Sequence, residues 1–232
     1  MSDRPHALLF DVQGTATDFH TTIARAVGAA LGDRYPDVEW PGFVNEWRAA
    51  YFRGTAAMGD QWISVDSIYR AALDEILAAR GLDLGSRART ELNSAWKRLD
   101  PWPDAVAGLT RLRTRYTLAT LSNADVDAVV SITRHCDFPW HAIFTAEMAG
   151  AHKPDPRAYR MAAHYLGARP AEIMMVASHK YDIRAAAGLG FRTAFVSRPL
   201  EFGDPALADT EFSDEFDVNA TDFEDLADQL GC

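Results

Sequence analysis

Apolar positions along this chain follow two rhythms. Short unbroken runs recur at ALLF (7–10), YTLATLS (116–122), HAIFTA (141–146), IMMVAS (173–178) and RTAFVS (192–197). Their length and aliphatic content predict strands buried on both faces. Between them, residues 103–114, 124–135, 156–167 and 182–189 space their apolar side chains at the helical period. In PDAVAGLTRLRTRY, for example, Val106, Leu109 and Leu112 share one face and Pro103 suits a first turn. Strand-helix alternation of this kind predicts an α/β fold with a parallel sheet wound on both sides, and such sheets hold their sites beyond the carboxyl ends of the strands.

The rhythm changes after the first strand. HTTIARAVGAAL (20–31), FVNEWRAAYF (43–52), VDSIYRAALDEILAARG (65–81) and RARTELNSAWKRL (87–99) each read as an amphipathic helix, with no strand-like run among them. They predict a four-helix cap subdomain over residues 19–99, set on an α/β core made of residues 1–18 and 100–232. The turn-rich DPWPD (100–104) returns the chain to the core.

Composition narrows the partners. The formal charge is −10, and acids gather towards the end, from Asp204 to Asp228. No basic face is expected, which argues against nucleic acid, and the acidic tail reads as a solvated surface. A few buried cations are still enough to receive a small anion. Two cysteines, Cys136 and Cys232, make no disulfide framework, and the run before Asp11 is too short for a signal peptide or a membrane helix. A cytoplasmic protein that does not engage a membrane is expected.

Polar residues close the predicted strands in order: Asp11 with Gly14 and Thr15, Ser122 with Asn123, Lys153 in AHKPDPRAY, and Asp182 in VASHKYD. One such residue means little, but an Asp, Ser, Lys, Asp series at the mouth of one sheet is a specific signal. Asp11 is the candidate nucleophile, a carboxylate able to form an ester. Gly14 permits a tight turn and Thr15 can orient the carboxylate. Ser122 and Asn123 are equally readable as caps of a helix starting near Ala124. Lys153 is held extended by Pro154. Arg48, beside Trp47, would by composition be a solvated helix residue. His179, three residues before Asp182, could assist as a base near neutral pH.

These motifs, with EWRAAY, TLSNAD and VASHKYDIRAAAGLGFRTAFVSRPLEFG, resemble the haloacid dehalogenase superfamily, and within it the L-2-haloacid dehalogenase (type II) group, over nearly the whole chain. The resemblance implies a Rossmann-like parallel core with an inserted helical cap. It implies that Asp11 is the nucleophile, that Arg48 and Asn123 hold the departing halide, and that Ser122 and Lys153 hold the substrate carboxylate. Asp182 activates water, and Gln13, Trp47, Tyr159 and Tyr181 line the site. The expected reaction is hydrolysis of a short (S)-2-haloalkanoate to an (R)-2-hydroxy acid through an aspartyl ester, with no metal and no organic cofactor. The expected partners are the small 2-substituted carboxylate and the halide, and the resemblance implies a homodimer.

Three rival readings stay open. The superfamily's magnesium-dependent phosphatases resemble one another in a second acid where Gln13 stands, and in two acids where VASHKYD keeps only Asp182; an amide cannot serve as the proton donor. A silent binding protein on this fold need not keep the nucleophile with its partners. A sister hydrolase of another 2-substituted carboxylate, such as azetidine-2-carboxylate, is the nearest alternative. Gln13 also departs from the aromatic residue frequent in the dehalogenases, and there an amide could bond Asp11 or contact a substrate.

Overall fold

The structure, a computed structural model, describes residues 5–56 and 62–232; the first four residues of the amino-terminal stretch lie outside them. The first strand, β1 (Ala7–Phe10), is buried on both faces and leads into a tight loop and a two-residue strand, β2 (Thr17–Asp18). Four helices follow: α1 (Phe19–Leu31), α2 (Trp40–Ala56), α3 (Val65–Ala79) and α4 (Ser86–Asn93). The fourth is shorter than its apolar spacing predicts, because the chain tightens into a 3-10 turn at Ser94–Lys97 that buries Trp96. Strand β3 (Asp100–Pro101) then pairs antiparallel with β2, so the helical segment leaves and re-enters at one place.

The remaining elements alternate as the periodicity predicts: α5 (Ala105–Leu112), β4 (Thr117–Ser122), α6 (Val126–Cys136), β5 (Ala142–Thr145), the single turn α7 (Ala146–Ala149), α8 (Pro156–Leu166), β6 (Ile173–Ala177), α9 (Lys180–Ala187) and β7 (Arg192–Val196). The acidic tail is not only solvated surface. It contributes an edge strand, β8 (Val218–Ala220), and a last helix, α10 (Phe223–Gln229). A three-residue strand is too short to show a period, so the pattern of side chains carries no sign of it.

The six main strands form one sheet in the order β5-β4-β1-β6-β7-β8, with every pairing parallel. Strand β1 is therefore central, with Phe10 level with Thr120 on one side and Val176 on the other. This order brings the loops after β1, β4 and β6 side by side at one edge. One apolar cluster joins a face of the sheet to the inserted helices, running from Leu8 and Phe10 through Phe19, Trp47 and Leu73 to Trp96. A second cluster covers the other face beneath α8 and α9. Among the described residues, no helix is long and apolar enough to cross a membrane.

A further contact links the helical insertion to the core. The carboxylate of Asp125 accepts the backbone N–H groups of Val65 and Asp66, at 3.0 and 2.8 Å, and so caps α3 from the start of α6. Helix α6 begins at Val126 after Asp125, so Ser122 and Asn123 are not its caps and keep their side chains for other work.

Candidate active site

The loop after β1 is folded on its own backbone. The carbonyl of Val12 accepts from the N–H groups of Ala16 and Thr17, and Gly14 takes a φ of +92°. Only glycine adopts that conformation without strain, and it also leaves room for a neighbour: a Cβ there would come within 2.3 Å of Glu201 Oε1. The Trp102 indole donates to the Gly14 carbonyl at 2.8 Å, and the buried Arg198 donates to the Thr15 carbonyl at 2.8 Å. Asp11 is thus held at the centre of the sheet edge.

Its carboxylate is buried, accepts hydrogen bonds from two side chains and lies within ion-pair distance of a third. Lys153 Nζ lies 2.9 Å from Oδ1, Thr15 Oγ1 donates to Oδ2 at 2.8 Å, and His179 Nδ1 lies 3.2 Å from Oδ2. Thr15 is itself fixed, because its hydroxyl accepts the Ser178 N–H at 3.0 Å and meets the Ser178 hydroxyl. Burial alone would raise the Asp11 pKa, but Lys153 and His179 outweigh it and hold the carboxyl well below the usual range. Asp11 is an anion with its charge balanced inside the site.

Lys153 also contacts Asp182, which has no exposed surface. Burial lowers the lysine pKa, yet the two carboxylates more than reverse this and hold it cationic. Burial pushes Asp182 up against the pull of Lys153, and Asp11 adds to the rise. The Tyr159 hydroxyl donates to Asp182 Oδ1 at 2.6 Å from α8. Asn123 fixes the lysine's backbone: its Oδ1 accepts the Lys153 N–H at 2.7 Å and its amide donates to the Lys153 carbonyl at 3.0 Å. One hydrogen of the asparagine amide expected to receive a halide is therefore engaged, and the residue still lines the cavity.

Across from this group stands Arg48 of α2. Far from solvated, it is buried, with its guanidinium carbon 4.8–5.1 Å from the ring centres of Phe19, Tyr51 and Phe52. It donates to Gln13 Oε1 at 3.1 Å and contacts the Tyr69 hydroxyl. Among the described residues it forms no carboxylate pair, and its Nε has no partner. Burial lowers its pKa, but the surrounding hydroxyl and carboxyl groups raise it beyond the ordinary arginine value. A dry guanidinium without a carboxylate partner, close to a buried carboxylate, has the chemistry to receive an anion. Ser122 Oγ is also buried without a hydrogen-bond partner.

Asp11, Gln13, Arg48, Ser122, Asn123, Lys153, His179 and Tyr181 come together around one cavity of about 10 Å³, closed on the remaining sides by Tyr51 and Phe52. That is room for about one water molecule. A cleft of about 410 Å³ lies beside it and shares Phe52, Asn123, Lys153 and Tyr181. Another cleft, about 670 Å³ between α1, α2 and residues 200–207, holds none of the groups around Asp11. Thr15, Tyr159 and Asp182 act behind the cavity wall. Trp47 does not reach it: fully buried, its indole N–H donates to the Tyr69 carbonyl at 2.8 Å and its ring packs on Trp96.

Two further expectations are corrected by geometry. Gln13 does not bond Asp11; its amide oxygen accepts from Arg48 and from the Tyr69 hydroxyl, at 3.1 and 3.3 Å, while the residue lines the cavity. His179 is not a free base. Its Nε2 lies 2.7 Å from Glu201 Oε1, and both carboxylates around it are buried. The residues missed by sequence reasoning are Glu201, Tyr69, Tyr51 and Phe52. Tyr51 and Phe52 follow Arg48 at three and four positions in EWRAAYF, the spacing of one helix face, and that signal was available. Among the described residues, no group of three or more His, Cys, Asp or Glu side chains is arranged to hold a metal ion.

A parallel α/β sheet that delivers a charge-balanced aspartate to its central carboxyl edge, beneath inserted helices carrying an unpaired arginine, defines a hydrolase that works through a carboxylate. The family model for haloacid dehalogenase-like hydrolases matches residues 5–190, and the chain belongs to that family. It is 28% identical to an (S)-2-haloacid dehalogenase of Burkholderia cepacia, with 85% of each sequence covered, and 26% identical to one of Pseudomonas sp. (strain YL), with 82% of each covered. A solved defluorinating L-2-haloacid dehalogenase superposes with a TM-score of 0.94 at 35% identity, covering 98% of this chain and 96% of that one. A second L-2-haloacid dehalogenase structure gives 0.91 at 32%, covering 97% and 98%.

Proposed function

We propose that this chain hydrolyses short (S)-2-haloalkanoic acids to (R)-2-hydroxy acids. The observation that carries the reading is the pairing of an ionised, buried Asp11 with a caged Arg48 that has no carboxylate of its own. Asp11 attacks C2 from the side opposite the halide, so the centre inverts. The C2–halogen electron pair leaves with the halide towards Arg48, whose fixed charge needs no reorganisation as the anion forms. Ser122, with its free hydroxyl, and Lys153 receive the substrate carboxylate. Water then attacks the ester carbonyl, giving up a proton to Asp182, and the hydroxy acid departs.

The names of the relatives support the same reading. The positive charge that a phosphatase of this family draws from a divalent ion is supplied around Asp11 by Lys153 and His179, and Gln13 offers no acid for a leaving alcohol. The cavity holds about one water, so substrate entry needs the inserted helices, read here as a cap over residues 19–99, to move Phe52 and Arg48 away from Lys153. A cytoplasmic setting suits two unpaired cysteines, and a homodimer is the assembly the family resemblance favours, testable by sedimentation.

The deciding assay measures chloride, bromide and fluoride release from both enantiomers of 2-halopropionate with EDTA present, beside hydrolysis of a phosphomonoester with magnesium. Halide release from the (S) enantiomer that survives EDTA and is lost in Asp11→Asn is the expected result. Magnesium-dependent phosphate release without halide release overturns the reading. Turnover of azetidine-2-carboxylate alone would move it to the sister activity.

A further inference from the structure

We infer that His179 acts as an imidazolium that stabilises the oxyanion formed when water attacks the Asp11 ester, and that Glu201 is the positioning residue that keeps both of its nitrogens protonated; this rests on the function proposed above. The geometry is one of two carboxylates on one ring. Nδ1 lies 3.2 Å from Asp11 Oδ2 and Nε2 lies 2.7 Å from Glu201 Oε1, with side-chain exposures of 6% and 5% for the two acids. A neutral imidazole has one N–H and one lone pair. Whichever nitrogen lost its proton would aim that lone pair at a buried carboxylate oxygen, so both nitrogens donate.

The surroundings favour the same charge. Burial by itself would lower the histidine's pKa, but Glu201 and Asp11 outweigh it and lift the value to about 10. Among the described residues, the groups facing the ring are Asp11 from the loop after β1, Glu201 from the loop after β7, and Tyr181 from α9, with ring centres 5.7 Å apart. Arg48 and Lys153 also line the cavity, and Lys180, next along the chain, pairs with Asp209. Glu201 reaches the ring only because Gly14 has no side chain, and its own N–H is tied to the Arg198 carbonyl at 3.1 Å.

The two Asp11 oxygens then have different tasks. Oδ1 accepts from Lys153, while Oδ2 accepts from Thr15 and lies 3.2 Å from His179 Nδ1. The less encumbered Oδ1 forms the bond to C2 as the C2–halogen bond breaks and halide leaves. Oδ2 becomes the ester carbonyl oxygen. Water adds to Cγ and passes one proton to Asp182, and the negative charge arrives on Oδ2 between the Thr15 hydroxyl and the His179 N–H. Collapse restores the carbonyl and breaks the Cγ–Oδ1 bond, so Oδ1 departs on C2 as the oxygen of the hydroxy acid, and this alkoxide takes the proton from Asp182. The carboxylic acid left on Asp11 releases its proton to solvent, so one water is consumed and one halide and one proton appear.

Glu201→Gln keeps the shape and an acceptor for Nε2 but removes the charge. Three readouts test it: nitrogen-15 NMR of histidine-labelled protein, rapid-quench intact mass of the aspartyl ester, and the pH profile of ester hydrolysis. In the wild type both ring nitrogens stay protonated, and hydrolysis stays flat, from about pH 6 to about pH 9. In the variant the ring titrates within that range, halide is released in a first turnover, the ester accumulates, and its hydrolysis slows about 10-fold or more as pH rises. A hydrolysis rate that rises with pH through the same range would make His179 a base and overturn the inference, as would a variant indistinguishable from wild type. If Glu201→Gln does not fold, His179→Asn is expected to accumulate the ester with hydrolysis about 10²-fold slower, and unslowed hydrolysis overturns the role. Absence of halide release by the wild type overturns the proposed function and the oxyanion role with it, while the NMR measurement reads the charge state separately.

Discussion

Removing the charge of Lys153 should destabilise the protein in a way that grows with pH. Its Nζ sits between Asp11 and Asp182, and the three side chains are 1%, 6% and 0% exposed. Lys153→Met keeps most of the volume and leaves two carboxylates facing each other in a site that holds little water. Breaking a buried pair by removing one partner costs about 3–5 kcal/mol. For a chain of 232 residues, each kcal/mol corresponds to a shift of about 2–4 °C in Tm, so a loss on the order of 10 °C is expected at neutral pH.

The pH dependence fixes the cause. In the wild type Asp11 is held below its ordinary value; this contributes stability above the unfolded carboxylate pKa, and it is lost only as pH falls through the lowered one. In the variant, Asp182, already pushed up by burial, shares a proton with Asp11. A raised folded pKa contributes stability that is complete below the unfolded value and lost as pH rises through the raised one. The two curves therefore diverge from about pH 4 to about pH 8. Urea unfolding at a series of pH values measures the gap. A gap that does not change with pH, or one below about 1 kcal/mol as for an exposed pair, would refute the account of the site as a buried charge balance.

Other expectations test separate parts of the structure. Ser122→Ala removes a buried hydroxyl that has no partner, so urea stability should hold within about 0.5 kcal/mol while KM for a 2-haloacid rises more than kcat falls. Gly14→Ala forces φ +92° on an L side chain and drives its Cβ to 2.3 Å from Glu201 Oε1. It should cost about 1–3 kcal/mol and slow ester hydrolysis through the displaced glutamate, read by unfolding and by rapid-quench mass. Asp125→Ala deletes the acceptor of two N–H groups at the start of α3. A loss of about 1–2 kcal/mol is expected, with faster hydrogen exchange in the first turn of α3 than in β1.

Much of this site was legible because its residues sit where strands end. Asp11, Ser122, Lys153 and Asp182 each follow a local apolar run, and the parallel order gathers those ends without further information. Trp47 was misassigned for a local reason as well. Adjacent helix residues point about 100° apart, so a helix that turns Arg48 towards Asp11 sends Trp47 into the core, where its indole finds the Tyr69 carbonyl. Glu201 and Tyr69 were not legible. Each reaches the site across a long stretch of chain, and nothing in its own neighbours distinguishes it from a surface acid or a core aromatic. The depth of Glu201 depends on Gly14, whose sequence context reveals the tight turn but not what fills the space beside it.

Gln13 ties these observations together. Its amide oxygen accepts from Arg48 and Tyr69, so the loop that holds the nucleophile is hydrogen-bonded directly to α2 and α3 of the helical insertion. The cage around Arg48 is otherwise aromatic and supplies attraction without direction. Gln13 supplies the direction, fixing one guanidinium nitrogen and leaving Nε unpartnered. Arg48 has this acceptor because α2 lies against the loop that carries Asp11. An aromatic residue at this position would leave the arginine one acceptor fewer. On the function proposed above, Gln13 stands with Arg48 on the leaving-group side of Asp11, whereas His179 and Glu201 stand on the side where the ester would be hydrolysed.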